Sequence, residues 1–263
     1  MMRALFTSAT GMMAQQFNMD VISNNLANVN TVGFKSARAD FQDLLYQQIQ
    51  PAGSIVSQGA QSPTGTQVGL GVRTASTETM FGEGELQTTN NPLDVAIEGN
   101  GFYSVLLPDG TTGYSRDGSF KMNSQGQIVN SSGYAIQPEI VIPSSATNIS
   151  VGTDGTVSAT VGTQVNPATL GQITLTSFVN DAGLESVGGN VFKVTAASGQ
   201  PQTGVAGTSG YGTLQQGTLE MSNVSIVNEM VNMIVAQRAY EVNSKAIQAC
   251  DDMLNTANQL KQG

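Results

Sequence analysis

Four carboxylates grouped in the sequence, Asp94, Glu98, Asp109 and Asp117, come nearest to a pattern that could do chemistry. A suitably spaced pair would protonate a leaving oxygen and activate water, as in glycoside hydrolysis. Asp109 and Asp117 each precede a glycine, however, and an Asp-Gly step is explained by turn geometry alone. Their spacing also lacks oxygen ligands at alternate positions, so no Ca²⁺ loop is expected. The sequence contains no His, which removes the commonest general base, metal ligand and partner for a nucleophilic Ser or Cys. No Gly-x-Ser-x-Gly elbow occurs. Gly69-Leu70-Gly71 and Gly99-Asn100-Gly101 lack the third glycine and the βαβ setting of a dinucleotide site. The single Cys250 has no internal disulfide partner and reads as a small apolar packing residue. Neither an enzyme nor a cofactor or metal site is expected.

Composition narrows the classes further. Apolar residues make up 39% of the 263, but charged residues only 11%, well under the ~25% usual in a soluble domain. Asn, Gln, Ser, Thr and Gly supply the polarity, and copies of such a surface repel one another weakly. A net charge of −9 with ten Lys and Arg argues against a face that tracks nucleic-acid phosphates. No apolar run reaches the roughly 18 residues of a membrane span, so direct membrane insertion is not expected. Thr7, Ser8 and Thr10 interrupt any signal-peptide core, so an exported chain would use another route.

The elements that would carry any function are the two ends. Leu5, Met12, Met19 and Leu26 fall seven apart, with Ile22 and Val29 on the same stripe, predicting a helix over 4–29. Asn30, Thr31 and Gly33 then break it. At the far end Ile226, Met233, Tyr240, Ile247 and Leu254 repeat the spacing, with Ala236, Cys250 and Ala257 three further on. Ser222 or Asn223 is the expected N-cap, and the helix would be about 55 Å long. Seams this narrow want partner helices, either each other or further copies of the chain. Both ends are expected to fray in a lone subunit and to become helical on assembly. Eight of the eleven methionines lie in these segments, where flexible thioethers fit slightly non-equivalent neighbours.

From about 66 to 217 the hydrophobic period falls to two. Asn100-Gly101, Asp109-Gly110, Asp117-Gly118 and Asp154-Gly155 read as hairpin turns, which suggests a sandwich or distorted barrel. Residues 50–69 hold Pro51, Gly53, Gly59, Pro63, Gly65 and Gly69 without a charge, and read as an extended or loosely paired segment. The expected fold is α+β, a β-rich body flanked by long N- and C-terminal helices. The expected divisions are 1–35, 36–70, 71–221 and 222–263.

Three stretches carry a family resemblance. Ser23-Asn24-Asn25-Leu26-Ala27-Asn28-Val29-Asn30-Thr31-Val32-Gly33-Phe34-Lys35 resembles the N-terminal signature of bacterial flagellar rod and hook proteins. Gln237-Arg238-Ala239-Tyr240-Glu241-Val242-Asn243-Ser244-Lys245-Ala246 resembles their C-terminal signature. Asn90-Asn91-Pro92-Leu93-Asp94-Val95-Ala96-Ile97-Glu98-Gly99-Asn100-Gly101-Phe102 is similar to their shared central domain. Within the family, the length and the 43–66 segment resemble distal rod subunits; a proximal rod or hook-like subunit is the alternative. An extracellular β-rich binding or adhesion domain is a reading from another class.

The resemblance implies a helical homopolymer with terminal helices inside and the body outside, and a wedge at 50–66 that stiffens the rod. Implied partners are proximal rod subunits, hook or hook-junction subunits, the P-ring and L-ring bushings and the flagellar export apparatus. The implied place is the basal body, from periplasm to outer membrane, reached without a cleaved signal peptide.

Overall fold

The structure, a computed structural model, describes residues 2–53, 55–57, 60–61, 63–162 and 167–262. The chain forms two compact units, one of residues 1–26, 37–78 and 225–263, the other of residues 27–36 and 79–224.

The first unit holds α1 (Met2–Ala27), α2 (Ile226–Gln262) and a strand ribbon. Both long helices predicted from the heptads are present. α1 ends at Ala27 and gives way to a turn closed by Thr31 N–H donating to Asn28 O (3.1 Å). Val29, expected on the helix stripe, therefore lies beyond the helix. α2 begins later than expected: its first bond runs from Glu229 N–H to Ser225 O (3.0 Å), so neither Ser222 nor Asn223 caps it. The two helices approach closely. A Cβ on Gly11 would sit 2.9 Å from Asn243 Nδ2, so only glycine fits there without displacing that amide.

The ribbon comprises β1 (Ala37–Asp43), β2 (Tyr46–Gln50), β3 (Ile55–Ser57), β4 (Ala60–Gln61), β5 (Thr66–Gly69) and β6 (Val72–Thr79). β1 pairs with β6, β2 with β5 and β3 with β4, the last two pairs antiparallel. The expected loosely paired 50–69 stretch is thus the outer end of a nested hairpin. Cross-strand backbone bonds hold it, with a register shift between Gln48 and Gln50 beside Pro51.

The second unit contains β7 (Leu86–Thr88), β8 (Val95–Glu98), β9 (Phe102–Leu106), β10 (Thr112–Ser115), β11 (Lys121–Met122), β12 (Ile128–Val129), β13 (Ile136–Gln137) and β14 (Ala146–Val151). It continues with β15 (Thr156–Val161), β16 (Ala168–Gln172), β17 (Thr174–Ser177), β18 (Glu185–Gly188), β19 (Val191–Lys193), β20 (Gln202–Val205), β21 (Thr213–Gln216) and β22 (Thr218–Glu220). Its largest sheet has the order β18-β19-β10-β9-β17-β20, with β13 also on β9. β14-β15-β16 form a three-stranded sheet, and β8 pairs β21 and β7 pairs β22. No sheet among the described residues closes on itself, so the distorted-barrel expectation is not met.

β9 is buried on both faces and divides the core by its alternation. Tyr103 and Val105 point opposite to Phe102. Tyr103 joins Val95, Ile97, Phe120, Ile136 and Leu175, while Phe102 joins Tyr114, Leu184 and Phe192. The Tyr103 hydroxyl donates to Val95 O (2.7 Å), and burial holds its phenol well above the usual range.

Of the four expected hairpins, Asp109-Gly110 joins β9 to β10 and Asp154-Gly155 joins β14 to β15. The other two do not make hairpins, because β8 pairs with β21, and β11 with β12. The central family-like stretch forms a turn instead. Thr89 Oγ1 (2.6 Å) and Asn91 Nδ2 (2.8 Å) donate to the Asp94 carboxylate, and Gly217 N–H donates to Asp94 O.

At one end of this unit lies a charged cluster removed from water. Lys35 Nζ donates to Glu220 Oε1 (2.5 Å) and to Gly82 O (2.7 Å), and Gly84 N–H donates to Glu220 Oε1 (2.9 Å). Arg116 Nη1 lies 3.5 Å from Glu220 Oε2, Nη2 donates to Gly99 O (2.7 Å), and the guanidinium sits 5.4 Å over the Phe102 ring. Burial presses the Lys35 ammonium below its usual range, and Glu220 opposes that push. Gly33 N–H donates to Glu220 O (2.8 Å). A Cβ on Gly33, at φ +67°, would lie 2.7 Å from Asp117 N, so this position requires glycine twice over.

Removing one partner from a buried cluster strands the others. Glu220→Ala is expected to lower the unfolding free energy by about 3–5 kcal/mol in urea melts, whereas Arg238→Ala, which breaks an exposed pair, leaves it unchanged. Equal, small effects of the two would show that the cluster is not what holds this end of the body.

Candidate functional site

None of the four carboxylates forms an acid–base pair. Asp94 is committed to its turn, and Asp117 accepts from Ser119 N–H (2.9 Å). Asp109 accepts from Lys193 Nζ (2.5 Å) and from Thr111, which holds it well below the ordinary carboxylate range. Glu98 borders an open cleft of about 500 Å³ with Glu83, Asn100 and Tyr211. Among the described residues no group of three His, Cys, Asp or Glu could hold a metal, and no helix is long and apolar enough to cross a membrane.

What the sequence does build is a set of apolar surfaces on the first unit. Along α2, Met233, Ala236, Ala239, Asn243, Ile247, Cys250 and Leu254 recur every three or four residues and are buried or half-buried. This is the seam that the heptads predict. Ile226, Tyr240 and Ala257 stay exposed at its ends and middle. On α1, Ile22 is buried and Leu5, Met12, Met19 and Leu26 are half-buried.

Of the signature residues, Asn25 is buried and acts as a surrogate strand. Its Nδ2 donates to Ala37 O (2.8 Å) and its Oδ1 accepts Ala37 N–H (2.9 Å). It also hydrogen-bonds the side chain of Glu229, whose carboxyl burial pushes above the usual range. Asn25 thereby ties α1 to the start of β1 and to the first turn of α2. Asn24 and Ala27 are exposed, Asn28 Oδ1 accepts from Thr31, and Phe34 is half-buried. Arg238 is exposed and pairs with Glu241 (3.1 Å), while Ala239 is half-buried. Val29 lines a hollow with Leu86, Met221 and Val224 within the body.

A second apolar face escapes the heptad reading. Val227, Val231, Ile234, Val235 and Val242 are all exposed, Val227 at 71%. At 100° per residue Val227, Val231 and Ile234 lie on the side of α2 opposite Ala236, while Val235 and Val242 lie on the flank between that side and the seam. The signal is present in the sequence, since these residues also recur at helical spacing, but they fall outside the seven-residue ladder that marks the seam. On α1, Met2, Phe6 and Met13 are likewise exposed, and Met2, Leu5, Phe6 and Ala9 frame an apolar hollow of about 280 Å³.

The ribbon adds Leu45, 84% exposed, with Tyr46 and Ile49. A two-stranded ribbon has no second layer to cover such side chains. Pro51, Gly53, Pro63 and Gly65 flank its outer strands and are exposed, and Gly59 lies outside the described residues.

Comparison with known proteins identifies the same three stretches. The profile for the flagella basal body rod protein matches residues 5–35, and that for the flagellar hook protein FlgE/F/G D1 domain matches residues 96–159. The profile for the flagellar basal body rod FlgEFG protein C-terminal matches residues 215–260. The flagellar basal-body rod protein FlgG of Borreliella burgdorferi is 53% identical over 264 residues, spanning all of both chains. Its namesake in Caulobacter vibrioides is 50% identical over 261 residues, 99% of this chain and all of the relative. The Bacillus subtilis protein of the same name is 37% identical over 267 residues, again all of both chains. With matches at this identity running from end to end, the chain belongs to the flagellar basal-body rod protein family.

Proposed function

We propose that the chain is a structural subunit of the distal flagellar rod and not an enzyme. Copies stack helically into a stiff, hollow drive shaft that carries torque from the motor to the hook. The observation that carries this reading is the second apolar face of α2. A helix apolar on two opposite sides needs partners on both, and Val227, Val231 and Ile234, flanked by Val235 and Val242, offer the second side to another copy. Burying each such side chain is worth roughly 1.5–3 kcal/mol. Contacts between unlike faces of identical chains repeat from copy to copy, and where the rotation between copies does not close a ring they give an open helical stack.

In this reading the segments 1–35 and 222–263 form the inner tube and 71–221 the outer layer. The 36–70 segment seats Leu45, Tyr46 and Ile49 against neighbouring subunits. Its Pro51, Gly53, Gly59, Pro63 and Gly65 tract wedges between them and keeps the shaft straight. The stack meets proximal rod subunits below, hook or hook-junction subunits above, and the P-ring and L-ring around it. The subunit reaches the periplasm through the flagellar export apparatus.

Two expectations test this. Val231→Asp combined with Ile234→Asp leaves the melting of the body unchanged and abolishes elongated particles in electron micrographs; particles of full length would contradict the role of this face. Deleting residues 50–66 shortens the bending persistence of the polymer, and an equally stiff polymer would remove the wedge from the account.

A further inference from the structure

The body is assembled from strands and charges that lie far apart in the chain. Glu220 bonds Lys35 across 185 residues, Gly84 across 136 and Arg116 across 104. Among the described residues no other carboxylate pairs with Lys35 or Arg116. The strand leading to Glu220 also completes two ladders. β21 pairs Leu214 with Ile97 and Gln216 with Val95, and β22 pairs Glu220 with Leu86. Val95 and Ile97 belong to the main core cluster.

We propose that Glu220 is a folding gate: the body closes only once residues 213–220 are in place, and any shorter N-terminal portion stays open. Before Glu220 arrives, closure would take the Lys35 ammonium and the Arg116 guanidinium out of water with no carboxylate in contact, leaving only the weaker, more distant pull of Glu83 and Asp181. It would also bury the backbone groups of β8 without ladder partners. Both costs fall on the segment that joins the core latest. The device has a consequence for a chain delivered from its N-terminus. No folded body forms until more than four-fifths of the sequence, up to residue 220 of 263, is present, so partial chains remain extended. This inference does not depend on polymerisation, and its failure would leave the rod reading untouched.

The test is refolding of the full chain from urea, followed by pulsed hydrogen exchange at single amides. The Gly33 and Gly84 amides, which donate to Glu220, are expected to gain protection in the same phase as the amides of β9. Glu220→Gln keeps the shape and loses the charge, and is expected to slow that phase about tenfold. Lys193→Met, which cuts an exposed pair, leaves it unchanged. The triple variant Lys35→Met/Arg116→Met/Glu220→Leu has no charge to pair and refolds within about twofold of the native rate. Protection of β9 tenfold or more ahead of Gly33 and Gly84 would overturn the gate, and so would a native rate in Glu220→Gln. Should Glu220→Gln fail to fold, the triple variant decides on the β9 amides and on Gly33, whose acceptor is the backbone carbonyl of residue 220: native protection there supports the gate, and its absence overturns it.

Discussion

One desolvated carboxylate organises the ends of the body. Glu220 receives an ammonium, a guanidinium and a backbone N–H on its side chain, and the Gly33 N–H on its carbonyl. Such a cluster is weak evidence for stability in itself, because desolvation consumes most of the attraction. Its value lies in specificity: any register that misplaces residue 33, 35, 84, 116 or 220 leaves a charge or a backbone donor buried alone. The segments that lead away from α1 and towards α2 are therefore anchored side by side within the body. The same constraint explains why position 33 tolerates only glycine, since a side chain there would meet the backbone at Asp117.

The other constraint is hydrophobic. α2 buries one seam and leaves an opposite stripe of Val and Ile in water, while α1 and the ribbon expose Phe6, Met13, Leu45, Tyr46 and Ile49. Exposed apolar surface on this scale marks an interaction face. With charged residues only 11% of the chain, little repulsion opposes contact between copies. The chemistry points the same way, because three of the four acids that resemble a catalytic set, Asp94, Asp109 and Asp117, are spent on turns or on a surface pair. The molecule thus reads as a part shaped for packing, in agreement with the end-to-end match to flagellar basal-body rod proteins.

How much was legible in the sequence follows from the range of each interaction. The α2 seam at Met233, Ala236, Ile247 and Cys250 was legible because helical periodicity is local. The end of α1 was legible within two residues, from the Asn and Gly that follow it. The Asp109 and Asp154 hairpins were legible, but Asn100-Gly101 misled, since its flanking strands pair with distant partners. The nested ribbon was hidden because Pro51, Gly53 and Pro63 argue against strand, while cross-strand bonds several residues away decide the outcome. The pairing of Glu220 was hidden from any local window, because its side-chain partners Lys35, Gly84 and Arg116 lie more than a hundred residues off. An inward-facing charge on the alternating run Thr218–Glu220 was the only available hint.

The central claim is that the terminal helices drive open-ended association. Sedimentation velocity over a concentration series tests it most directly, on the full chain and on a chain of residues 27–224, which keeps the whole Glu220 cluster. The account predicts that the full chain grows into ever longer species as concentration rises, while the shorter chain remains a folded monomer. If both stopped at the same small oligomer, the helices would not be assembly elements, and the shaft reading would be contradicted.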